Sequence, residues 1–264
     1  IKACYWKNGV KTDLAIDKES YTSSIYVSGK EIYVAGHYIK GDTTIACYWK
    51  NGVKTDLSSR ESSYTRSIYV DKKDVYVAGF YFEEETYKAC YWKNGTRIIL
   101  DNLSSNLFSI ASSIYVAGND IYVAGQYNDR NKDVACYWKN GIKTDLISIP
   151  NSITGRINIF VTYESAMIYR FSRQEGILSH KVHVNSIHVN NTNVYIAGKY
   201  NDGKKAVACY WKNGIKTDLN SNSERSTFAS IFVYETDIYA VGYDDGACYW
   251  KNGVKTKLGN GINN

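Results

Sequence analysis

An all-β propeller of four-stranded antiparallel blades is the fold class this 264-residue sequence predicts, and three observations carry it. The string Cys-Tyr-Trp-Lys-Asn-Gly begins six times, at Cys4, Cys47, Cys90, Cys136, Cys209 and Cys248, at intervals of 43, 43, 46, 73 and 39 residues. Two further strings, close to Ser-Ile-Tyr-Val and Ile-Tyr-Val-Ala-Gly, recur between these; the first holds Ile25, Ile68, Ile114, Ile187 and Ile231, and the second opens at Ile32, Val75, Ile121, Val194 and Ile238. No segment sustains a 3.6-residue apolar period with caps, so helices are not expected. Four strands in a period of about 40–45 residues are the signature of a propeller blade.

The second unit shows how each element is read. Its strands fall at 67–70, 75–81, 88–93 and 96–100. Asp71-Lys72-Lys73-Asp74 forms a short polar turn between the first two. Asn94-Gly95 joins the last two, and Asn-Gly between apolar runs signals a type I′ hairpin because both central residues need positive φ. The same dipeptide stands at Asn8, Asn51, Asn140, Asn213 and Asn252. The second strand of each unit is apolar on both faces, as expected of a strand sandwiched between neighbours. The 25 Tyr, 7 Phe and 6 Trp, with abundant Ile and Val, suit strands throughout.

The chain reads as one domain, residues 1–264, with six blades; five and seven are the alternatives. Residues 1–14 supply only the second half of a unit, so either an upstream half-blade is missing or this hairpin closes the ring unconventionally. Residues 147–185 break the repeat and are read as a degenerate, shortened blade with strands at 157–163, 167–172 and 177–184; a long insertion is the other reading. The absence of a starting Met suggests a processed or truncated product.

Composition excludes several classes. A hydrophobic content of 44% argues against bulk disorder, and no apolar run reaches the length of a membrane-spanning helix. The net charge of +6 is too small to name a nucleic-acid partner, and none is expected. The six cysteines share one repeat position, which holds them too far apart for disulfides and reads as small buried packing residues with free thiols. The six tryptophans, two residues further on, share that strand face; blade packing is preferred over a ring of sugar platforms. Lysines flank each Asn-Gly turn, but Asp13, Asp56, Asp145 and Asp218 follow and offset them. His180, His183 and His188 cluster, but they alternate in strand parity and lack a spaced fourth ligand, so no metal site is predicted. The Asn-Asp and Asp-Asp-Gly loops lack calcium-loop spacing. No nucleophile elbow, P-loop or dinucleotide fingerprint is present, so no catalytic residue, cofactor or metal is assigned.

The pattern Ala-x-Tyr-Trp-Lys-Asn-Gly with Leu five residues on, as in Gly52 to Leu57, followed by Ile-Tyr-Val-Ala-Gly, resembles tandem repeats in bacterial proteins of unassigned function. It is similar to the HAF-type extracellular repeats. The resemblance covers nearly all of the chain except 147–185 and brings no catalytic motif. It implies an exported or cell-surface protein.

In an up-down meander the constant turns emerge at one end, and the longer, varied connections emerge at the other. Loops on a rigid scaffold concentrate function. Near that varied end a Tyr recurs two residues after the strand-two Gly, at Tyr38, Tyr81, Tyr127 and Tyr200, and these are the candidate ligand-binding residues. The expected function is a monomeric, non-catalytic binding or scaffolding propeller engaging a carbohydrate or protein through the variable-loop face. One alternative is an extracellular polysaccharide hydrolase or lyase with carboxylates converging in the central funnel; another is a cytosolic interaction adaptor.

Overall fold

The computed structural model describes residues 2–14, 19–100, 107–129, 132–150, 182–202, 205–219 and 226–258. These form six consecutive antiparallel meanders. Unit 1 is a pair, β1 (Cys4–Lys7) and β2 (Val10–Asp13). Unit 2 has β3 (Ser20–Ser28), β4 (Glu31–Lys40), β5 (Thr43–Lys50) and β6 (Val53–Asp56). Unit 3 has β7 (Ser63–Asp71), β8 (Asp74–Glu83), β9 (Thr86–Lys93) and β10 (Thr96–Ile99). Unit 4 has β11 (Ser109–Ala117), β12 (Asp120–Asp129), β13 (Lys132–Lys139) and β14 (Ile142–Pro150). Unit 5 has β15 (Val182–Asn190), β16 (Asn193–Asn201), β17 (Ala206–Lys212) and β18 (Ile215–Asp218). Unit 6 has β19 (Ser226–Tyr234), β20 (Asp237–Asp244), β21 (Ala247–Lys251) and β22 (Val254–Lys257).

This is the six-unit propeller architecture expected from the repeat. The degenerate unit within the described residues is the first, which has two strands. Of the divergent stretch 147–185, the ends are strand: β14 runs to Pro150, and Val182 opens a complete unit 5. His180 and the strands read at 157–163 and 167–172 lie outside the described residues. No helix among the described residues is long and apolar enough to cross a membrane.

The turns follow their chemistry. At Asn94-Gly95 φ is 51° and 86°, the type I′ pair. The asparagine does a second job: Asn94 Oδ1 accepts from the Val75 amide at 2.9 Å, and the Asn94 amide donates back to the Val75 carbonyl at 2.9 Å. Asn51, Asn140, Asn213 and Asn252 make the same side-chain bond to Ile32, Ile121, Val194 and Ile238. Each Asn therefore ties the outer hairpin to the start of the second strand.

Neighbouring units pack by one rule. Each unit turns a small face, Tyr-Ala-Ala-Leu, toward the large face of the next. At the junction of units 2 and 3, Tyr33, Ala35, Ala46 and Leu57 meet Ile68, Val70, Val77, Cys90 and Trp92. Units 3 and 4 repeat this with Tyr76, Ala78, Ala89 and Leu100 against Ile114, Val116, Val123, Cys136 and Trp138. Trp49, Trp92, Trp138, Trp211 and Trp250 are 0–2% exposed, which supports packing as the tryptophan role in those units. Trp6 of the two-stranded unit is 62% exposed. All six cysteines are free thiols, and burial pushes those of Cys90, Cys209 and Cys248 up. Serine hydroxyls stitch the junctions, accepting from the previous unit: Ala46 to Ser63 at 3.0 Å, Ala89 to Ser109 at 2.9 Å and Ala208 to Ser226 at 2.9 Å. Unit 5 has Val182 at the serine position.

First strands of successive units lie side by side along the axis. Their aromatic side chains form a row: Tyr26–Tyr69, Tyr69–Tyr115, Tyr115–His188 and His188–Phe232, with ring centroids 4.7–4.9 Å apart.

Candidate functional site

The first strand of every complete unit carries one extra residue. In unit 3 Thr65 pairs with Gly79 and Ser67 with Ala78, leaving Arg66 as the bulge. Ser23, Ser112, Asn185 and Ala229 hold the same place in units 2, 4, 5 and 6. A bulge bends its strand and re-aims a side chain. The glycine opposite makes it sterically feasible: a Cβ on Gly198 would sit 2.1 Å from the His183 carbonyl oxygen, and one on Gly79 would sit 1.9 Å from that of Tyr64. Only glycine tolerates such an approach.

Four of the five bulge residues border a cavity of about 350 Å³ at the axis. Arg66, Ser112 and Asn185 line it from their bulges, with Ala229 beside them. The positions two residues earlier add Ile110, His183 and Thr227, and the strand-two partners add Gln126 and Lys199. His183 is the ladder partner of Lys199, and Ile110 that of Gln126. These residues lie at the start of strand one and the end of strand two, the end at which the varied connections emerge.

Arg66, His183 and Lys199 line the cavity, and among the described lining residues there is no carboxylate. Gln126 is buried at 4% exposed. Burial holds the Lys199 ammonium below the ordinary lysine value, because the charged form loses water. Arg66 lies 5.5 Å from the centroid of Phe80. Beyond it an aromatic wall continues: Phe80 stacks on Tyr64 at 5.1 Å, His37 meets Tyr64 at 5.3 Å, and Tyr21 stacks on His37 at 5.2 Å. Burial, with Arg66's charge, pushes His37 down to about 4.

Chemically, a guanidinium recognises a carboxylate with two parallel hydrogen bonds. A desolvated lysine acts as a general base because more of it is neutral near pH 7. The pair of carboxylates that most glycoside hydrolysis uses is not among the described residues of this lining.

The tyrosines singled out from the sequence sit elsewhere. Tyr38, Tyr81 and Tyr127 are 5%, 1% and 7% exposed and lie in three different junctions between units. Tyr200 is half-buried at a fourth. A cation from strand four covers each ring: Lys54 at 3.5 Å, Arg97 at 3.9 Å, Lys143 at 3.7 Å and Lys216 at 3.8 Å. Three phenol hydroxyls donate to aspartates, Tyr38 to Asp56 at 3.0 Å, Tyr127 to Asp145 at 3.1 Å and Tyr200 to Asp218 at 3.0 Å. None of the four lines the axial cavity. The histidines separate too: His183 faces the cavity, and His188 stacks in the axial row.

Sequence reading missed Arg66, Gln126, His183 and Lys199 as a group. The signal was present as variation. Among near-identical units, the bulge reads Ser, Arg, Ser, Asn, Ala, and the strand-two position reads His, Phe, Gln, Lys, Tyr.

No family model matches the chain, and no curated protein matches it. Among solved structures it is similar to a thermostable family-43 glycoside hydrolase, at 8% identity and TM-score 0.48, with 91% of this chain and 94% of that one covered. It is also similar to the Bombyx mori GH32 β-fructofuranosidase BmSUC1, at 6% identity and TM-score 0.40, covering 84% of this chain and 55% of that one. A third is polysaccharide lyase Uly1, at 10% identity and TM-score 0.43, covering 89% of this chain and 57% of that one. The chain spans about half the length of the silkworm enzyme and of the lyase. These findings correct one expectation. The non-catalytic binding or scaffolding propeller, engaging a carbohydrate or protein through its variable-loop face, is set aside. The similar structures are, by their own names, carbohydrate-active hydrolases and a lyase; the converging carboxylates that the alternative reading expected are not among the described residues lining the cavity. At these identities the chemistry rests on the cavity's own side chains.

Proposed function

We propose that the axial cavity binds a uronate of an acidic polysaccharide and cleaves the chain by β-elimination. One observation carries the reading: Arg66, His183 and Lys199 converge on one cavity, and among the described residues that line it there is no carboxylate. An anionic sugar fits that field and a neutral one gains little from it.

Arg66 holds the uronate carboxylate and spreads the charge that develops as the neighbouring carbon loses its proton. Lys199, neutral, takes that C5 proton. The freed electron pair forms the C4–C5 double bond, the C4–O bond breaks, and His183 gives a proton to the departing oxygen. Base and acid each change by one proton, and neither water nor an oxidant is consumed. Gln126 and Asn185 supply amides that orient the ring, although the Asn185 amide also donates to the Phe228 carbonyl.

The test is incubation with polygalacturonate, alginate and hyaluronate, following the ultraviolet absorbance of the unsaturated product. Absorbance that rises on at least one polyuronate and is lost in Lys199→Met supports the reading. New reducing ends without unsaturation would overturn elimination in favour of hydrolysis.

A further inference from the structure

Among the described residues, the large-face and small-face rule leaves two faces exposed. In unit 2, Ile25 and Val27 are 51% and 59% exposed, whereas their equivalents Ile68, Val70, Ile114, Val116, Ile187, Val189, Ile231 and Val233 are 3–6% exposed. The outer part of the same face is covered, since Ala3, Tyr5 and Leu14 of unit 1 pack against Ile32, Val34, Cys47 and Trp49. At the other end of the series, Val241 of unit 6 is 42% exposed where Ala35, Ala78, Ala124 and Ala197 are fully buried. Leu258 is 61% exposed where Leu57, Leu100 and Leu219 are 5–8% exposed. Unit 1 has only the two outer strands, and Trp6 stands on its large face at 62% exposed.

We propose that these surfaces are one docking site, and that its occupant is a β-hairpin of the repeat's own first-pair type, as in β7–β8, which adds to the free edge of β1. The register is set by the other units. In unit 2 Tyr33, Val34, Ala35 and Gly36 pair with Lys50, Trp49, Tyr48 and Cys47. The incoming second strand therefore sets its Tyr, Val, Ala and Gly opposite Lys7, Trp6, Tyr5 and Cys4. Its Tyr and Ala cover Ile25 and Val27, and its Ile and Val meet Val241 of unit 6. Its glycine is required where the indole of Trp6 must pass: in unit 2 a Cβ on Gly36 would lie 2.8 Å from the Trp49 ring. Its first-strand Tyr extends the axial aromatic row past Phe232, which is 53% exposed at the end of that row. A hairpin satisfies all four surfaces at once, by main-chain addition to a sheet edge with side chains seated in prepared contacts.

The experiment uses the intact chain and a synthetic peptide copying residues 63–83. The peptide is expected to bind one to one, to shift the emission of exposed Trp6 to the blue and remove its iodide quenching, and to raise Tm. The same peptide carrying Gly79→Val is expected not to bind. The hairpin is also tested joined through residues 84–86 ahead of Ile1, where Trp6 should be protected whatever the solubility of the free peptide. Quenching of Trp6 that neither the peptide nor the joined hairpin alters would overturn the proposal. So would equal binding of the Gly79→Val peptide, or a concentration-dependent dimer that protects Trp6 without any peptide and assigns the face to a second copy. None of these readouts depends on polysaccharide cleavage.

Discussion

His183 stands directly opposite Lys199 across the β15–β16 ladder, two residues before the bulge at Asn185 breaks the register. Directly paired residues hold their Cβ atoms about 4.5–5.5 Å apart. An imidazole and a desolvated amine are thus delivered to one wall of the axial cavity by backbone pairing alone. The first prediction follows from this pair. Lys199→Met is expected to lower kcat on a responsive polyuronate by about 10²–10⁴-fold, the usual worth of a general base, with little change in KM. Because the Lys199 amine must be unprotonated, which burial favours, while His183 must still carry the proton it donates, the wild-type rate should pass through a maximum with pH, with the lysine limb below 10.5. Stopped-flow rates from neutral to alkaline pH check both statements, and an unchanged profile in the variant rejects the assignment.

Arg66 projects from the bulge of unit 3 into the same cavity. Arg66→Gln is expected to raise KM for the polyuronate by about tenfold or more, since a hydrogen bond to a charged group contributes roughly 1.5–3 kcal/mol. The salt dependence of KM should also weaken. Arg66 lowers the pKa of His37, so the same variant should let His37 titrate at a higher pH, visible by NMR of the imidazole. A variant with unaltered KM and unaltered His37 titration would remove Arg66 from the site.

The limits of sequence reading show in unit 3. Asn94-Gly95 was legible because the type I′ turn demands that dipeptide, and φ is positive at both residues. The strand read at 67–70 begins four residues earlier, at Ser63. Ser63-Tyr64-Thr65-Arg66 looks polar, and the bulge at Arg66 shifts the two-residue alternation so that no single period spans the strand. The cavity residues sit in that illegible half. Strand positions packed between units must repeat because their partners repeat. Positions facing the axis meet side chains from several units, which frees Arg66, Ser112 and Asn185 to differ. Tyr38 and its equivalents recur for the opposite reason: each fills the equivalent junction of its own unit beneath a strand-four cation.

Gly198 faces the His183 carbonyl oxygen so closely that a Cβ would lie 2.1 Å from it, with the Trp211 ring at 3.2 Å. Backbone on one side and a buried indole on the other leave no cheap relaxation. Gly198→Ala is expected to cost about 1–3 kcal/mol, the range for overpacking, and to move His183 away from Lys199. Urea denaturation measures the first effect. A loss of cleavage activity in the folded variant measures the second.

His37 is 7% exposed and is pushed down to about 4, mainly by burial and further by Arg66. The unfolded chain, titrating near 6.5, takes up the proton first as pH falls. Stability from keeping His37 neutral is therefore complete above about pH 6.5 and lost progressively toward pH 4, by on the order of 3 kcal/mol. His37→Phe, between Tyr21 and Tyr64, should remove that part of the acid sensitivity. Urea midpoints at pH 7 and pH 4.5 that shift equally in wild type and variant would show that His37 does not carry it.

The two environments of one repeated tryptophan give a paired test of the packing rule. Trp92 is fully buried against Ala35, Ala46 and Leu57, whereas Trp6 is 62% exposed. Trp92→Ala is expected to cost about 3–5 kcal/mol and Trp6→Ala no more than about 0.5 kcal/mol. The Trp92 indole nitrogen is buried without a hydrogen-bond acceptor, and so are those of Trp49, Trp138 and Trp211. That unmet donor offsets part of what the ring's burial contributes, so Trp92→Phe should cost clearly less than Trp92→Ala. Chemical denaturation of the three variants decides it: similar costs for Trp6→Ala and Trp92→Ala would mean that burial in the inter-unit junctions does not set stability.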